Sequence, residues 1–100
     1  MEIKTMVADG RATYALAGKM TVQTTSELKE AVEATPSDVC NIDIDLTDVD
    51  YVSSAGLRVF VASDRLTKER GGMLRLLNPS DDVYEVLAMT NLADLLEIVR

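Results

Sequence analysis

Short stretches of alternating apolar and polar residues run through the first half of the chain, and this period of two predicts β-strands. Residues 1–7 alternate weakly, and residues 11–17 alternate clearly. Asp9-Gly10 between them is a strong signal for a hairpin turn, and Gly18 is predicted to end the second strand. The chain is therefore expected to begin with an antiparallel hairpin.

The strand predicted over residues 41–46 alternates strictly between three aliphatic residues and two aspartates, Asp43 and Asp45. Two carboxylates this close together are the pair that metal binding or acid–base chemistry would use. The alternation alone also explains them as residues on the solvent side of a half-buried strand. We expect the solvent-side position.

Three segments have apolar residues three and four positions apart, which is the spacing of a helix with one buried face. The first is predicted to begin at a capping box over residues 24–27, the second at Ser54 and the third after Ser80 as N-cap. The predicted stops are residues 35–38, Gly71-Gly72 and Asn91.

A further apolar strand is predicted over residues 73–77, and residues 96–99 close the chain as a strand or a short helix. The predicted order is β-β-α-β-α-β-α with this last element. An opening hairpin followed by βα units predicts an α/β fold, in which helices pack on a mixed sheet of four to five strands. One hundred residues correspond to a single domain over residues 1–100.

The segment Val52–Arg58, VSSAGLR, is the most informative part of the sequence because it places Ser53 and Ser54 where a strand ends and a helix begins. Serine is a common N-cap residue, so helix capping alone explains a serine at this place. The free backbone N–H groups and the positive end of the helix dipole also favour a phosphate there. The residues leave both interpretations open.

The composition excludes several classes of function. The chain has no histidine, so it has no Ser-His-Asp triad and no His-ligated zinc, and its one cysteine, Cys40, cannot form a thiolate metal cluster. A net charge of −7 argues against nucleic acid and against anionic membrane surfaces. No apolar run is long enough to span a bilayer, and no signal peptide is recognisable. We expect a soluble, cytoplasmic monomer without a metal or a cofactor.

The segment DLTDVDYVSSAGL, residues 45–57, resembles the signature of the STAS domain of bacterial anti-sigma factor antagonists. Flanking segments agree in register: LAGKM at residues 16–20, GGMLRL at residues 71–76 and Asn91-Leu92. The resemblance covers nearly the whole chain, and it implies a STAS fold.

The resemblance also implies a phosphorylation switch. In such antagonists a GHKL-type anti-sigma kinase phosphorylates a serine at the start of the second helix, and a PP2C-type phosphatase removes the phosphate. The unphosphorylated antagonist binds the kinase and releases its target. The acceptor position falls on Ser54, with Ser53 as second choice. The residues expected to contact the partner are Thr21, Ser53, Ser54, Gly56 and Arg58.

The sequence departs from the family pattern at two of these positions. An acidic residue often precedes the acceptor, where this chain has Ser53, and another often follows the turn before the first helix, where it has Thr21. Both changes remove negative charge near Ser54. Gly56 either allows the helix to cross the sheet closely or leaves room for a kinase loop, and Arg58 is either an ordinary exposed arginine or a contact to partner or phosphate.

Two other classes of function remain as alternatives. The first is a STAS domain that is not phosphorylated and serves as a scaffold or interaction subunit, for example in a lipid-transport assembly. The second is an enzyme with Ser54 as nucleophile, but a serine nucleophile needs an adjacent base, and the sequence offers neither a histidine nor a neighbouring lysine. We therefore expect a regulatory protein and not an enzyme.

Overall fold

The computed structural model describes all residues from Met1 to Arg100. It contains five strands and four helices in the order β1-β2-α1-β3-α2-β4-α3-α4-β5. Their bounds are β1 Glu2–Ala8, β2 Arg11–Met20, α1 Val22–Glu33, β3 Asn41–Val52, α2 Ser54–Glu69, β4 Leu74–Leu77, α3 Asp81–Met89, α4 Leu92–Leu95 and β5 Glu97–Val99.

The five strands form one mixed sheet in the order in which they occur along the chain. β1 and β2 are antiparallel and form the opening hairpin, whose turn residues Asp9 and Gly10 have φ angles of 53° and 75°. The pairs β2–β3, β3–β4 and β4–β5 are all parallel. The predicted α/β class, the hairpin and the mixed sheet are confirmed, and the last predicted element is a strand preceded by the short helix α4.

The hydrophobic core lies between the helices and one face of the sheet. Alternate residues of β2, β3 and β4 bury aliphatic or aromatic side chains there, including Tyr14, Ile44 and Leu76. Leu28 of α1, Phe60 of α2 and Leu87 of α3 belong to the same buried cluster and are fully inaccessible to solvent. Packing against this face of the sheet holds the helices in place and so positions the residues at the start of α2.

Three predicted boundaries are wrong, and one of them is the end of β3, which continues past Leu46 to Val52. β2 does not end at Gly18 but continues to Met20, because Lys19 and Met20 still pair with β3. Gly18 has a φ of 111° and lies where the register of the two strands shifts. α1 begins one turn earlier than the predicted capping box, because Thr21 is its N-cap. The Thr21 hydroxyl accepts the Thr24 N–H, and the Thr24 hydroxyl accepts the Thr21 N–H in return.

The solvent-side position expected for Asp43 is also wrong, since this residue is 3% exposed. Arg75 on the adjacent strand contacts both carboxylate oxygens at 2.7 and 2.8 Å, and Arg11 contacts one of them at 2.8 Å. Burial of the carboxylate acts to raise the pKa of Asp43, but the hydrogen bonds and positive charges of the two arginines outweigh it and hold that pKa below its usual value. Asp43 is thus part of an ion-pair network on the sheet face opposite the helices.

Candidate functional site at the start of the second helix

The ends of β2 and β3 lie side by side and bring two helix starts together. The strands are parallel and Met20 pairs with Val52. Thr21 and Ser53, which follow these two residues, therefore leave the sheet at the same end. The backbone N–H of Ser53 donates to the carbonyl of Met20 at 2.9 Å. The candidate site is the surface formed by these two helix starts.

Ser53 and Ser54 have different environments although they are adjacent. Ser53 is half-buried and is the N-cap of α2, and its hydroxyl accepts the backbone N–H of Gly56 at 3.3 Å. Ser54 is the first residue of the helix, its side chain is exposed, and its hydroxyl makes no hydrogen bond within the protein. Of the two hydroxyls, only that of Ser54 is without a hydrogen bond in the structure.

Gly56 is buried on the inner side of α2. A Cβ atom at this position would lie 2.9 Å from Cγ1 of Val52 and 3.1 Å from Cε of Met20. Both contacts are closer than ordinary van der Waals separations, so the missing side chain allows the first turn of α2 to rest on the ends of β2 and β3. This geometry supports the packing interpretation of Gly56, while a role in partner contact stays a prediction.

Arg58 lies one turn along α2 from Ser54 on the exposed side of the helix. Its guanidinium forms no ion pair within the protein, in contrast to Lys19, which pairs with Asp50 at 3.3 Å at the nearby ends of β2 and β3. Residues four positions apart share a helix face, so Ser54 and Arg58 belong to one surface. Of the five residues predicted for partner contact, four lie together at the helix starts and Arg58 lies just beside them.

Two exposed apolar residues also lie at this end of the sheet, although no sequence motif singles them out. Val22, the first residue of α1, is 67% exposed, and Tyr51 near the end of β3 is 50% exposed. Both side chains are available for contact with a partner, and tyrosine is enriched at protein–protein interfaces. The exposure of Tyr51 follows from its position in β3. It directly precedes the buried Val52, and neighbouring residues of a strand point to opposite faces.

Other kinds of site have little support in the structure. No group of three or more His, Cys, Asp or Glu side chains is arranged to hold a metal ion. Asp45, the second aspartate of β3, accepts hydrogen bonds from the backbone and the hydroxyl of Thr47 at 3.0 and 2.6 Å. None of the helices has the length and apolar character required to cross a membrane.

Comparisons with known proteins identify the family of the chain. The family model described as "Mlab, STAS domain" matches residues 5–98. The anti-sigma-B factor antagonist of Bacillus subtilis is 32% identical over 83 residues, which span 83% of this chain and 76% of the relative. The chain belongs to the STAS-domain family and, within it, to the anti-sigma factor antagonists.

Solved structures confirm the fold. An anti-sigma factor antagonist from Mycobacterium paratuberculosis superposes with a TM-score of 0.86 at 19% identity, over 98% of this chain and 84% of the other. The Bacillus cell fate determinant SpoIIAA in its phosphorylated form superposes with a TM-score of 0.78 at 17% identity, over 99% and 92% of the two chains. At these identities the likeness is one of fold.

Proposed function

We propose that this protein is an anti-sigma factor antagonist whose binding to an anti-sigma factor is controlled by phosphorylation of Ser54. The unphosphorylated form binds a GHKL-type anti-sigma kinase and releases the kinase's target. The kinase phosphorylates Ser54 with ATP, and a PP2C-type phosphatase removes the phosphate. The protein itself is regulatory and not an enzyme.

The observation that carries the proposal is the difference between the two serine hydroxyls. Ser54 is exposed and unbonded at the first position of α2, while the Ser53 hydroxyl caps the helix. A kinase that reaches this end of the sheet finds the Ser54 oxygen without a hydrogen bond, whereas the Ser53 oxygen is less available because it accepts the N–H of Gly56. The acceptor choice therefore follows from local hydrogen bonding.

The scaffold tolerates a phosphate at this position for electrostatic reasons. A phosphoserine carries about −1.5 to −2 charges near neutral pH. At a helix N-terminus this charge faces the positive end of the dipole and N–H groups without helical partners. Phosphorylation is therefore expected to leave the fold and its stability nearly unchanged.

The same phosphate opposes binding at the surface around it. Partner contact through exposed Val22 and Tyr51 would bury Ser54 between two proteins. A charged group buried there without a cation from the partner costs roughly 2–5 kcal/mol, which weakens binding about thirty-fold to several thousand-fold. The switch thus changes the surface and leaves the scaffold in place.

The proposal is tested by incubating the protein with ATP and an anti-sigma kinase and measuring intact mass, followed by peptide mapping. Wild type and Ser53→Ala are expected to gain one phosphate, and Ser54→Ala is expected to gain none. Phosphate on Ser54→Ala would move the acceptor to Ser53 or elsewhere. Absence of phosphate on wild type would contradict the switch.

A second candidate function is open because the family match identifies the domain and not its phosphorylation. In this alternative the domain is an interaction subunit of a larger complex, and it is not phosphorylated. The same experiment separates the two functions, because a scaffold neither binds the kinase nor accepts phosphate at Ser54.

A further inference from the structure

A groove of about 480 Å³ runs between α1 and α2 on the outer surface of the protein. The strands β2, β3 and β4 are parallel, so the helices that connect them run parallel to one another. The groove is lined along α1 from Val22 to Glu33 and along α2 from Ala55 to Leu66. Twelve residues of helix on each side correspond to a length of about 18 Å, or three helical turns.

The floor of the groove is buried and contains one unsatisfied polar atom. Thr25 is 2% exposed and Ser63 is 1% exposed. The Ser63 hydroxyl donates to the carbonyl of Val59 at 2.7 Å, but the Thr25 hydroxyl has no hydrogen-bond partner. It is the only buried side-chain polar atom of the protein without one, and such atoms are uncommon in folded proteins.

Two cations without partners stand on opposite walls of the groove, Lys29 on α1 and Arg58 on α2. Of the ten lysines and arginines in the chain, five form ion pairs, and Arg70 is held by backbone carbonyls. Only Lys4, Lys29, Arg58 and Arg65 are left without such contacts. A protein of net charge −7 therefore places two of its four unpaired cations on one groove, where Glu33 at the far end is the only acid.

We propose that this groove is a docking site for an acidic amphipathic helix of a partner protein. Groove-lining residues recur three and four positions apart on both α1 and α2, which is the spacing into which the side chains of a third helix fit. The small side chains of Ser26, Ala62 and Ser63 allow its backbone to approach. Acidic residues of the docked helix pair with Lys29 and Arg58, and its apolar residues cover Val32 and Val59.

The groove shares Val22 and Arg58 with the surface proposed for the kinase, but it extends from there along α1 and α2 and does not require a modified Ser54. The occupant follows from the charge on the walls: a neutral or basic helix would leave Lys29 and Arg58 without partners. Electrostatic complementarity of this kind selects between partners more than it adds affinity. A helix is favoured over a compact ligand because the two walls extend in parallel for three turns.

The test uses a synthetic peptide of about four helical turns, with leucines three and four residues apart on one face and glutamates beside them. A second peptide has lysine in place of every glutamate. Binding is measured by titration into nitrogen-15-labelled protein. The glutamate peptide is expected to shift the backbone amides of Thr25, Ala62 and Ser63, and the lysine peptide is expected to bind at least about tenfold more weakly.

A pair of charge-reversal variants provides the matched control. Lys29→Glu with Arg58→Glu is expected to weaken binding of the glutamate peptide at least about tenfold. Lys4→Glu with Arg65→Glu changes the net charge equally at the two other unpaired cations and is expected to have a much smaller effect. Equal weakening in both variants would overturn the proposal, because it would show a response to net charge alone.

Three further outcomes also overturn it. The first is a glutamate peptide that does not bind, or that shifts amides outside α1 and α2. The second is binding of the small anion 8-anilinonaphthalene-1-sulfonate in the groove without any binding of the peptide. The third is self-association of the protein that shifts the same amides at high concentration. None of these outcomes bears on phosphorylation of Ser54, so the two proposals fail separately.

Discussion

Met20 supports the position of Ser53 through the backbone: the Met20 carbonyl accepts the Ser53 N–H at 2.9 Å. The same residue lies under the first turn of α2, where its Cε atom is close to Gly56. Met20 is fully buried in the core. The start of α2, which includes Ser54, is therefore anchored to the core of the protein.

Gly56→Ala is expected to destabilise the protein, although alanine normally stabilises a helix relative to glycine by about 1 kcal/mol. The added Cβ would meet Cγ1 of Val52 at 2.9 Å, and overpacking of this kind costs about 1–3 kcal/mol. We expect a net loss of about 1 kcal/mol in the free energy of unfolding, measured by urea denaturation. In a Val52→Ala background the same substitution should cost less, and an equal effect in both backgrounds would contradict the contact.

Ser53→Ala is expected to lower the free energy of unfolding by about 1 kcal/mol, because it removes the hydroxyl that caps the N–H of Gly56. Ser53→Asp is the matched control, since aspartate is an equally good N-cap and should keep the stability of the wild type. Thermal denaturation of wild type, Ser53→Ala and Ser53→Asp measures these differences in stability. If Ser53→Asp is as unstable as Ser53→Ala, the serine has a role other than capping.

Asp43→Asn is expected to lower the free energy of unfolding by about 1–3 kcal/mol, because it removes the charge that Arg11 and Arg75 both contact. Asp50→Asn removes the acid of the solvent-exposed pair with Lys19 and is expected to have a smaller effect. Denaturation at neutral pH compares the two variants. Equal losses would show that burial of Asp43 does not strengthen its ion pairs.

The difference between wild type and Asp43→Asn is also expected to depend on pH. The pKa of Asp43 is lowered in the folded protein, so its contribution to stability is fully present above the unfolded value of about 3.9. It is lost as the pH falls through the lower pKa of the folded state. Stability curves measured from about pH 6 downward should therefore converge below about pH 4, and a constant difference would contradict the lowered pKa.

The parts of the fold that depend on local sequence could be predicted. The hairpin turn at Asp9-Gly10, the Ser80 N-cap and the left-handed Asn91 all follow from residues a few positions apart, and the structure has each of them. Asp43 could not be predicted, because the two arginines that bury it lie 32 residues away in either direction and reach it only through strand pairing. The extension of β2 past Gly18 likewise depends on its pairing with β3.

Only the part of the candidate site that depends on neighbouring residues could be predicted. A strand followed by Ser53-Ser54 and a helical pattern indicates hydroxyls at a helix start without knowledge of the fold. Thr21 and Ser53 lie close together because β2 and β3 pair in parallel, and no local sequence pattern indicates that pairing. The groove between α1 and α2 was not predicted either, because two separate helices form its walls.

The most direct test of the proposed switch compares the affinity of the anti-sigma kinase for the unmodified protein and for protein carrying phosphoserine at residue 54, incorporated during synthesis. Titration calorimetry should show that the phosphate weakens binding at least about thirty-fold, while amide spectra of the two free proteins differ only around the start of α2. Equal affinities for the two forms, or a phosphorylated protein that no longer folds, would contradict a switch that acts on the surface alone.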